Sequence, residues 1–315
     1  MTTTPGKILF SGATGMIGSA LVRAAEANRI QALRLVRHDP ASPSEIQWNP
    51  DAALPVSDAA QLEGIGAAIH LSGANLSGHR WTADYKRQIV ESRVNSTRAL
   101  VNTLKSLKQR PSVLLCASAT GIYGNRGDEI LTEESSPGRG FIADTCVAWE
   151  VEAAQARPLG IRVVHLRFGV VLAREGGALK KMLPIFRLGL GGNLGSGRQW
   201  MNWIALSDAV RAIFHLLDST IDGPANLVAP NPVTNAEFTR ALGHALHRPA
   251  IISAPAFALS IAFGEVADEV LLASTRAIPA RLLGSGFTFE LPDIASALNG
   301  VLTLPPEPHT LILLT

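Results

Sequence analysis

The chain has 315 residues, 47% hydrophobic and 17% charged, with 28 Lys+Arg against 26 Asp+Glu and a formal net charge of +2. That composition supports a large packed core and excludes disorder on the scale of a domain. The near-neutral balance offers no electrostatic argument for nucleic acid or an anionic membrane as partner.

The opening MTTTPGKILF lacks the long apolar core of a signal peptide. No uninterrupted apolar run reaches the roughly 18 residues that a spanning helix needs, so a soluble cytoplasmic protein is expected. Cys116 and Cys146 make no disulfide framework and have no neighbour at metal-ligand spacing. Both read as buried free thiols in a reducing compartment, and no metal site is expected.

The first element is a strand over 7–12, KILFSG, running into SGATGMIGSAL and a helix over 16–28. Gly12, Gly15 and Gly18 stand at GxxGxxG spacing. The three glycines serve a tight turn, backbone access to a diphosphate, and close helix–sheet packing. The helix N-terminus, at Met16 and Ile17, supplies unpaired N–H groups and a partial positive charge to phosphates, and Thr14 adds a hydroxyl donor. The second strand, 32–37, ends on Arg37, with the first acid only at Asp39. A carboxylate there would accept the ribose 2′-OH of NAD, whereas a guanidinium binds a 2′-phosphate, so Arg37 favours NADP.

Further strands are expected at 45–48, 67–73, 112–118 and 161–169, separated by amphipathic stretches at 82–107 and 143–157. Near-continuous apolar strands between helices mean a parallel sheet covered on both faces. The fold class is therefore α/β, a Rossmann-like doubly wound sheet with its ligand crevice at the strands' carboxyl ends. After residue 175 helices predominate: 178–188, 205–218, 234–247, 256–274 and 293–302, around the glycine-rich 188–198 and a short strand at 225–229. This reads as a smaller, mostly helical cap. The expected division is 1–175 for the dinucleotide-binding domain, 176–303 for the cap and 304–315 for a proline-broken, then apolar tail.

The segments FSGATGMIGSAL, HLSGANL, ESRVNSTRAL, SATGIYGNRGDEILTEESSPGRGF, LRFGVVLAREGGAL, FRLGLGGNLGSGRQWMNWI and LLGSGFTFELPDIASAL occur in that order. Together they resemble the epimerase-like subgroup of the atypical and extended short-chain dehydrogenase/reductases, including its small C-terminal domain of unknown function, here about 250–302. The resemblance implies an NADP-dependent oxidoreductase or epimerase acting on a small-molecule substrate. It also implies that Gly12 to Gly18 and Arg37 hold the dinucleotide, and that Leu71 and Ser72 pass beside its adenosine half. Arg93 takes the place of a cofactor-side asparagine, and Val171 offers backbone contacts near the nicotinamide. Relatives often dimerise through helices equivalent to 82–107 and 140–157, so a monomer or a homodimer is expected.

Active members of the wider superfamily use a Tyr-x-x-x-Lys pair on one helical face, joined by a Ser or Thr hydroxyl on the preceding strand. Here Tyr85 is followed at that spacing by Ile89 and Tyr123 by Gly127, so no pair exists. Ile142 and Cys146 stand near the two expected places, and Ala119 near that of the hydroxyl. Proton transfer would then pass to Tyr123, Ser118 or Thr120, with Asp144 and Cys146 as weaker candidates. The alternative is a protein that binds NADP(H) without turning it over, as a sensor or regulatory protein. In GSGRQWMNWI, Arg198, Trp200 and Trp203 suggest a flat or apolar substrate, or else they pack cap against sheet. His79 and Arg80 are expected at the crevice mouth, and Asp208 is expected to cap or pack the helix that follows it.

Overall fold

A computed structural model describes residues 6–56 and 58–303. Seven strands form one all-parallel sheet: β1 (Lys7–Ser11), β2 (Gln31–Val36), β3 (Glu45–Gln47), β4 (Ala67–His70), β5 (Val113–Ala119), β6 (Arg162–Phe168) and β7 (Gly223–Leu227). Their order across the sheet is β3-β2-β1-β4-β5-β6-β7. The chain winds outward from β1 in one direction and then from β4 in the other. The reversal between β1 and β4 leaves an open crevice at their carboxyl ends, where doubly wound sheets bind ligands.

Helices cover both faces. α1 (Met16–Ala27) buries Leu21, Val22, Ala24 and Ala25, the spacing of a single apolar stripe. That stripe joins Ile8, Phe10 and Ile69 from the sheet and Val210, Ile213 and Phe214 of a later helix in one core cluster. On the other face, α2 (Ala83–Ser106) contributes Leu100 and Leu104, and α3 (Phe141–Ala154) contributes Trp149 and Ala153, packing on Leu9, Leu114 and Val163. Thr82 caps α2 by accepting a hydrogen bond from the Tyr85 amide.

The cap contains α4 (Gly177–Arg187), α6 (Asn235–Ala245), α7 (Ala256–Phe263) and α9 (Ile294–Thr303), whereas α5 (Leu206–Asp218) and α8 (Ala280–Gly284) pack on the sheet. A cluster of Leu172, Leu179, Phe186, Trp203, Phe238, Leu242 and Leu298 forms the cap's own core.

Two sequence expectations differ. The strand expected at 225–229 does not interrupt the cap. As β7 it extends the main sheet beside β6, so the intervening α5 is the crossover helix of a parallel unit. The helix expected over 256–274 ends at Phe263, because Gly264 turns with φ 62°, and a short π-helical turn at Ala267–Leu271 follows. The reading of the tail at 304–315 lies outside the described residues. Among the described residues, no helix is long and apolar enough to cross a membrane, and no group of three or more His, Cys, Asp or Glu could hold a metal ion.

Candidate functional site: a dinucleotide crevice and the cavity beside it

The glycine turn is built as the spacing predicts. Gly12 has φ +70°, and a Cβ there would meet the Leu71 carbonyl carbon and oxygen at 2.8 Å, so only glycine lets β1 turn against β4. A Cβ on Gly18 would lie 2.2 Å from the Gly12 carbonyl oxygen, which holds the first turn of α1 tight against the loop. Gly15 is the N-cap, with no side-chain cap and no acid in the first turn. Ser19 makes the first i→i−4 bond, to the Gly15 carbonyl. The amides of Met16, Ile17 and Gly18 are thus left at an open helix N-terminus that suits a diphosphate. Thr14 is exposed beside them.

Beneath the turn lies a hydroxyl–imidazole chain that sequence reasoning missed. Ser72 Oγ donates to Ser11 Oγ at 3.0 Å, and Ser11 Oγ lies 2.5 Å from His70 Nδ1. His70 Nε2 is 3.2 Å from Ser96 Oγ, whose own proton goes to the Ser92 carbonyl at 2.7 Å. The imidazole therefore carries its proton on Nε2 and accepts at Nδ1 from Ser11. Full burial pulls its pKa down from 6.5 to about 3, so it stays neutral and rigidifies the loop. A lone His at the end of a strand carries no signal of this in the sequence. Ser72, expected beside the adenosine half, is thus tied into this chain.

Arg37 stands exposed just past the end of β2, and among the described residues its side chain has no hydrogen-bond or ion-pair partner. Asp39 is turned away, accepting from Gln47 Nε2 at 3.1 Å. The guanidinium is consequently free for an outside anion. Glycine cradle, open amides and free Arg37 together fit a phosphorylated dinucleotide.

Toward β5 and β6 the crevice deepens into a cavity of about 200 Å³, walled by Leu71, Ser118, Ile142, Cys146 and Phe168 among others. Ile142 and Cys146, the two places where a Tyr-x-x-x-Lys pair would stand, both face this cavity together with Ala119. The two positions singled out in the sequence therefore share one cavity wall, and neither carries an acid or a lysine. Burial pushes the Cys146 thiol up to about 11, with the Glu150 charge raising it further and Arg93 opposing. It is a protonated thiol at neutral pH.

Of the three hydroxyls considered for proton transfer, Ser118 lines the cavity. It donates to Glu150 Oε1 at 2.7 Å, and Glu150 is gripped by Arg167 through Nε at 2.8 Å and Nη2 at 2.9 Å. Burial would raise the Glu150 carboxyl, but the two Arg167 bonds prevail and hold it below its ordinary value. Thr120 is buried and donates to the Phe168 carbonyl at 3.3 Å, away from the lining. Tyr123 is 0% exposed. Its hydroxyl donates to Asn226 Oδ1 at 2.7 Å and accepts from Arg167 Nη1 at 2.9 Å, so it ties β6 to β7 beneath the site. Burial raises its pKa despite Arg167. The expected place of Tyr123 in the pocket is not where the structure puts it, because packing and two hydrogen bonds consume the phenol. The Glu150–Arg167 pair escaped the sequence reading, although an arginine inside the apolar run IRVVHLRFG was its visible trace.

The three residues expected to touch substrate are likewise elsewhere. Trp203 is buried in the cap core and donates to the Asn231 carbonyl at 3.2 Å. Trp200 donates to Asp128 Oδ1 at 2.7 Å, with Arg276 stacked 4.1 Å from its ring centroid. Arg198 is exposed on the loop before it. None of the three lines the cavity. Trp203 packs within the cap's own core rather than between cap and sheet, and Trp200 joins Asp128 and Arg276. Val171 is buried beside Met16, which packs on Gly176 and Gly177, and neither Val171 nor Met16 lines the cavity. Arg80 reaches the Ile261 carbonyl of α7, and the exposed His79 lies edge-on to Tyr85. Asp208, fully buried, accepts from the amides of Glu290 and Leu291 and from Arg211, anchoring the C-terminal segment to α5.

Comparison with known proteins agrees with this geometry. Residues 8–228 match the NAD dependent epimerase/dehydratase family, and residues 254–301 match a domain of unknown function, DUF1731. An epimerase family protein of Mycobacterium bovis is 42% identical over 299 residues, covering 95% of this chain and 98% of its own length. The crystal structure of human epimerase family protein SDR39U1 (isoform 2) with NADPH superposes with a TM-score of 0.85 at 30% identity, covering 95% of this chain and 100% of that one. A nucleoside-diphosphate sugar epimerase of Corynebacterium glutamicum matches with a TM-score of 0.74 at 33% identity, over 94% of this chain and 58% of its own. The chain, with its glycine cradle on β1 and a cavity at β5, belongs to the NAD dependent epimerase/dehydratase family.

Proposed function

We propose that the protein is an NADP(H)-dependent oxidoreductase or epimerase of a small carbonyl or hydroxyl compound. The observation that carries this is the unpartnered Arg37 beside an intact glycine cradle, which opens into a cavity at the carboxyl end of β5. A human relative crystallised with NADPH supports the choice of coenzyme. When bound, the coenzyme supplies or accepts the hydride.

The protein's part is to hold the dinucleotide on the amides of Met16 to Gly18, to select the 2′-phosphate with Arg37 and to exclude water with Leu71, Ile142 and Phe168. Proton transfer falls to Ser118. In oxidation Ser118 Oγ takes the proton of the substrate hydroxyl while its own proton moves to the ionised Glu150, which releases it to water. In reduction the Ser118 hydroxyl protonates the substrate oxygen and is reprotonated from water by way of Glu150. Arg167 keeps Glu150 in place throughout.

The test is NADPH consumption across a panel of small carbonyl compounds, with epimerisation of the chiral ones followed in parallel, because an epimerase regenerates its coenzyme. Ser118→Ala should lower kcat at least tenfold, a loss typical of a removed proton relay, with NADPH affinity unchanged. The presence of Ile142 and Cys146 where the usual acid and lysine would stand favours a second reading, a non-catalytic NADP(H) sensor. Tight NADPH binding with no turnover on any compound would select it.

A further inference from the structure

Arg93 projects from α2 into the cavity wall, a cation without a counter-charge among the described residues. Its Nη1 donates to the Ile89 carbonyl and its Nη2 to the Ala74 carbonyl, each at 3.0 Å. The guanidinium carbon lies 5.2 Å from the Trp149 ring centroid. It also runs along Gly73, where a Cβ would come within 3.2 Å of that carbon, so the chain is bare at the point of contact. The side chain is therefore held in one pose before anything binds.

An arginine has five N–H donors, and these two bonds leave the others without a protein acceptor among the described residues. None of the ion pairs among those residues includes it. Glu150, which acts with Arg93 on the Cys146 thiol, is committed to Arg167 and Ser118. Burial accordingly pulls the Arg93 pKa down, opposed only by Cys146 and Tyr85. A desolvated cation with spare donors is costly until an anion reaches it.

Resting on the dinucleotide reading above, we propose that the cavity takes a small organic acid, its carboxylate clasped by Arg93. The apolar remainder lies against Leu76, Ile142 and Trp149, and the reacting oxygen lies near Ser118. A single planar guanidinium matches the two oxygens of a carboxylate. A cavity of about 200 Å³ restricts the acid to a short chain.

The experiment is calorimetric titration of the NADP⁺-loaded full-length protein with short-chain 2-oxo acids, each paired with its neutral amide. Both coenzyme and ligand are oxidised, so no turnover occurs and binding alone is read. The acids should bind about tenfold or more tighter than their amides, the value of a charge-assisted bond to a buried group. Arg93→Gln should abolish that preference with NADP⁺ affinity unchanged, and Arg93→Lys should retain part of it. The wild-type acid-to-amide contrast needs no variant and stands even if Arg93→Gln folds poorly. Equal binding of acid and amide, or no binding of either, would overturn the proposal. So would loss of NADP⁺ affinity in Arg93→Gln with the preference intact, which would assign Arg93 to the coenzyme. NADP⁺ affinity is measured first, and its absence would sink the dinucleotide reading itself.

Discussion

The Cα of Gly18 faces the carbonyl oxygen of Gly12 so closely that a Cβ on Gly18 would stand 2.2 Å from it. The obstacle is backbone, not the end of a flexible side chain, so no rotamer change relieves it. Gly18→Ala should lower the free energy of unfolding by roughly 1–3 kcal/mol, the usual cost of overpacking. The displaced helix start should also weaken NADPH binding. Chemical denaturation and calorimetry on the same preparation check both, and an unchanged NADPH affinity would show that the turn does not form the binding surface.

Among the described residues Arg37 has no bond to lose, so its removal should be silent in stability and audible in binding. Arg37→Ala should reduce NADPH affinity by about 10- to 100-fold, corresponding to ~1.5–3 kcal/mol for a bond between charged groups. NADH affinity should not change. Equal affinities for the two coenzymes in the wild-type protein would remove the 2′-phosphate assignment.

Tyr123→Phe separates structure from chemistry. It leaves Arg167 Nη1 and Asn226 Oδ1 without their shared hydroxyl in a buried place. The expected cost is about 1–3 kcal/mol of stability, read by urea unfolding. Turnover per folded molecule should persist. A collapse of kcat at full stability would return the phenol to the chemistry and displace Ser118.

Acid should destabilise the fold well above the carboxylate range. Burial lowers His70 from 6.5 to about 3 and His165 from 6.5 to about 4. Both folded values lie below the unfolded one. The unfolded chain therefore binds protons that the native chain refuses, and stability falls as pH drops from about 6.5 toward 4. Each histidine contributes a slope of about 1.4 kcal/mol per pH unit in that window. The partly buried His215 is shifted the same way and adds a smaller, solvent-screened contribution. Urea unfolding between neutral pH and the onset of carboxylate titration should show this, and His70→Gln should remove about one proton of the slope. A flat profile would mean that His70 is accessible to protons in the native state.

The dinucleotide half was legible because its determinants are local. A glycine at positive φ, a glycine against a carbonyl and an unshielded helix start all lie within one short segment, and apolar strand runs report a sheet covered on both faces. Helical periodicity likewise puts Ile142 and Cys146 one turn apart on the same face, which is where the cavity finds them. The place of Arg37 was readable for a related reason: it depends on the end of one strand.

What lay beyond sequence reasoning depends on contacts between segments distant in the chain. Tyr123 meets Asn226 across 103 positions and Arg167 across 44. Nothing near Tyr123 in the sequence says that its hydroxyl is consumed. Trp203 likewise looks like a pocket residue until the cap helices close around it. The strand at 223–227 looked like part of the cap because sheet membership is decided by pairing with β6, not by neighbouring helices. Local chemistry thus determined the glycine turn and the helix start that face the crevice. Only the tertiary structure decided which hydroxyl reaches the cavity and which charge there lacks a partner, because burial and pairing are properties of the packed whole.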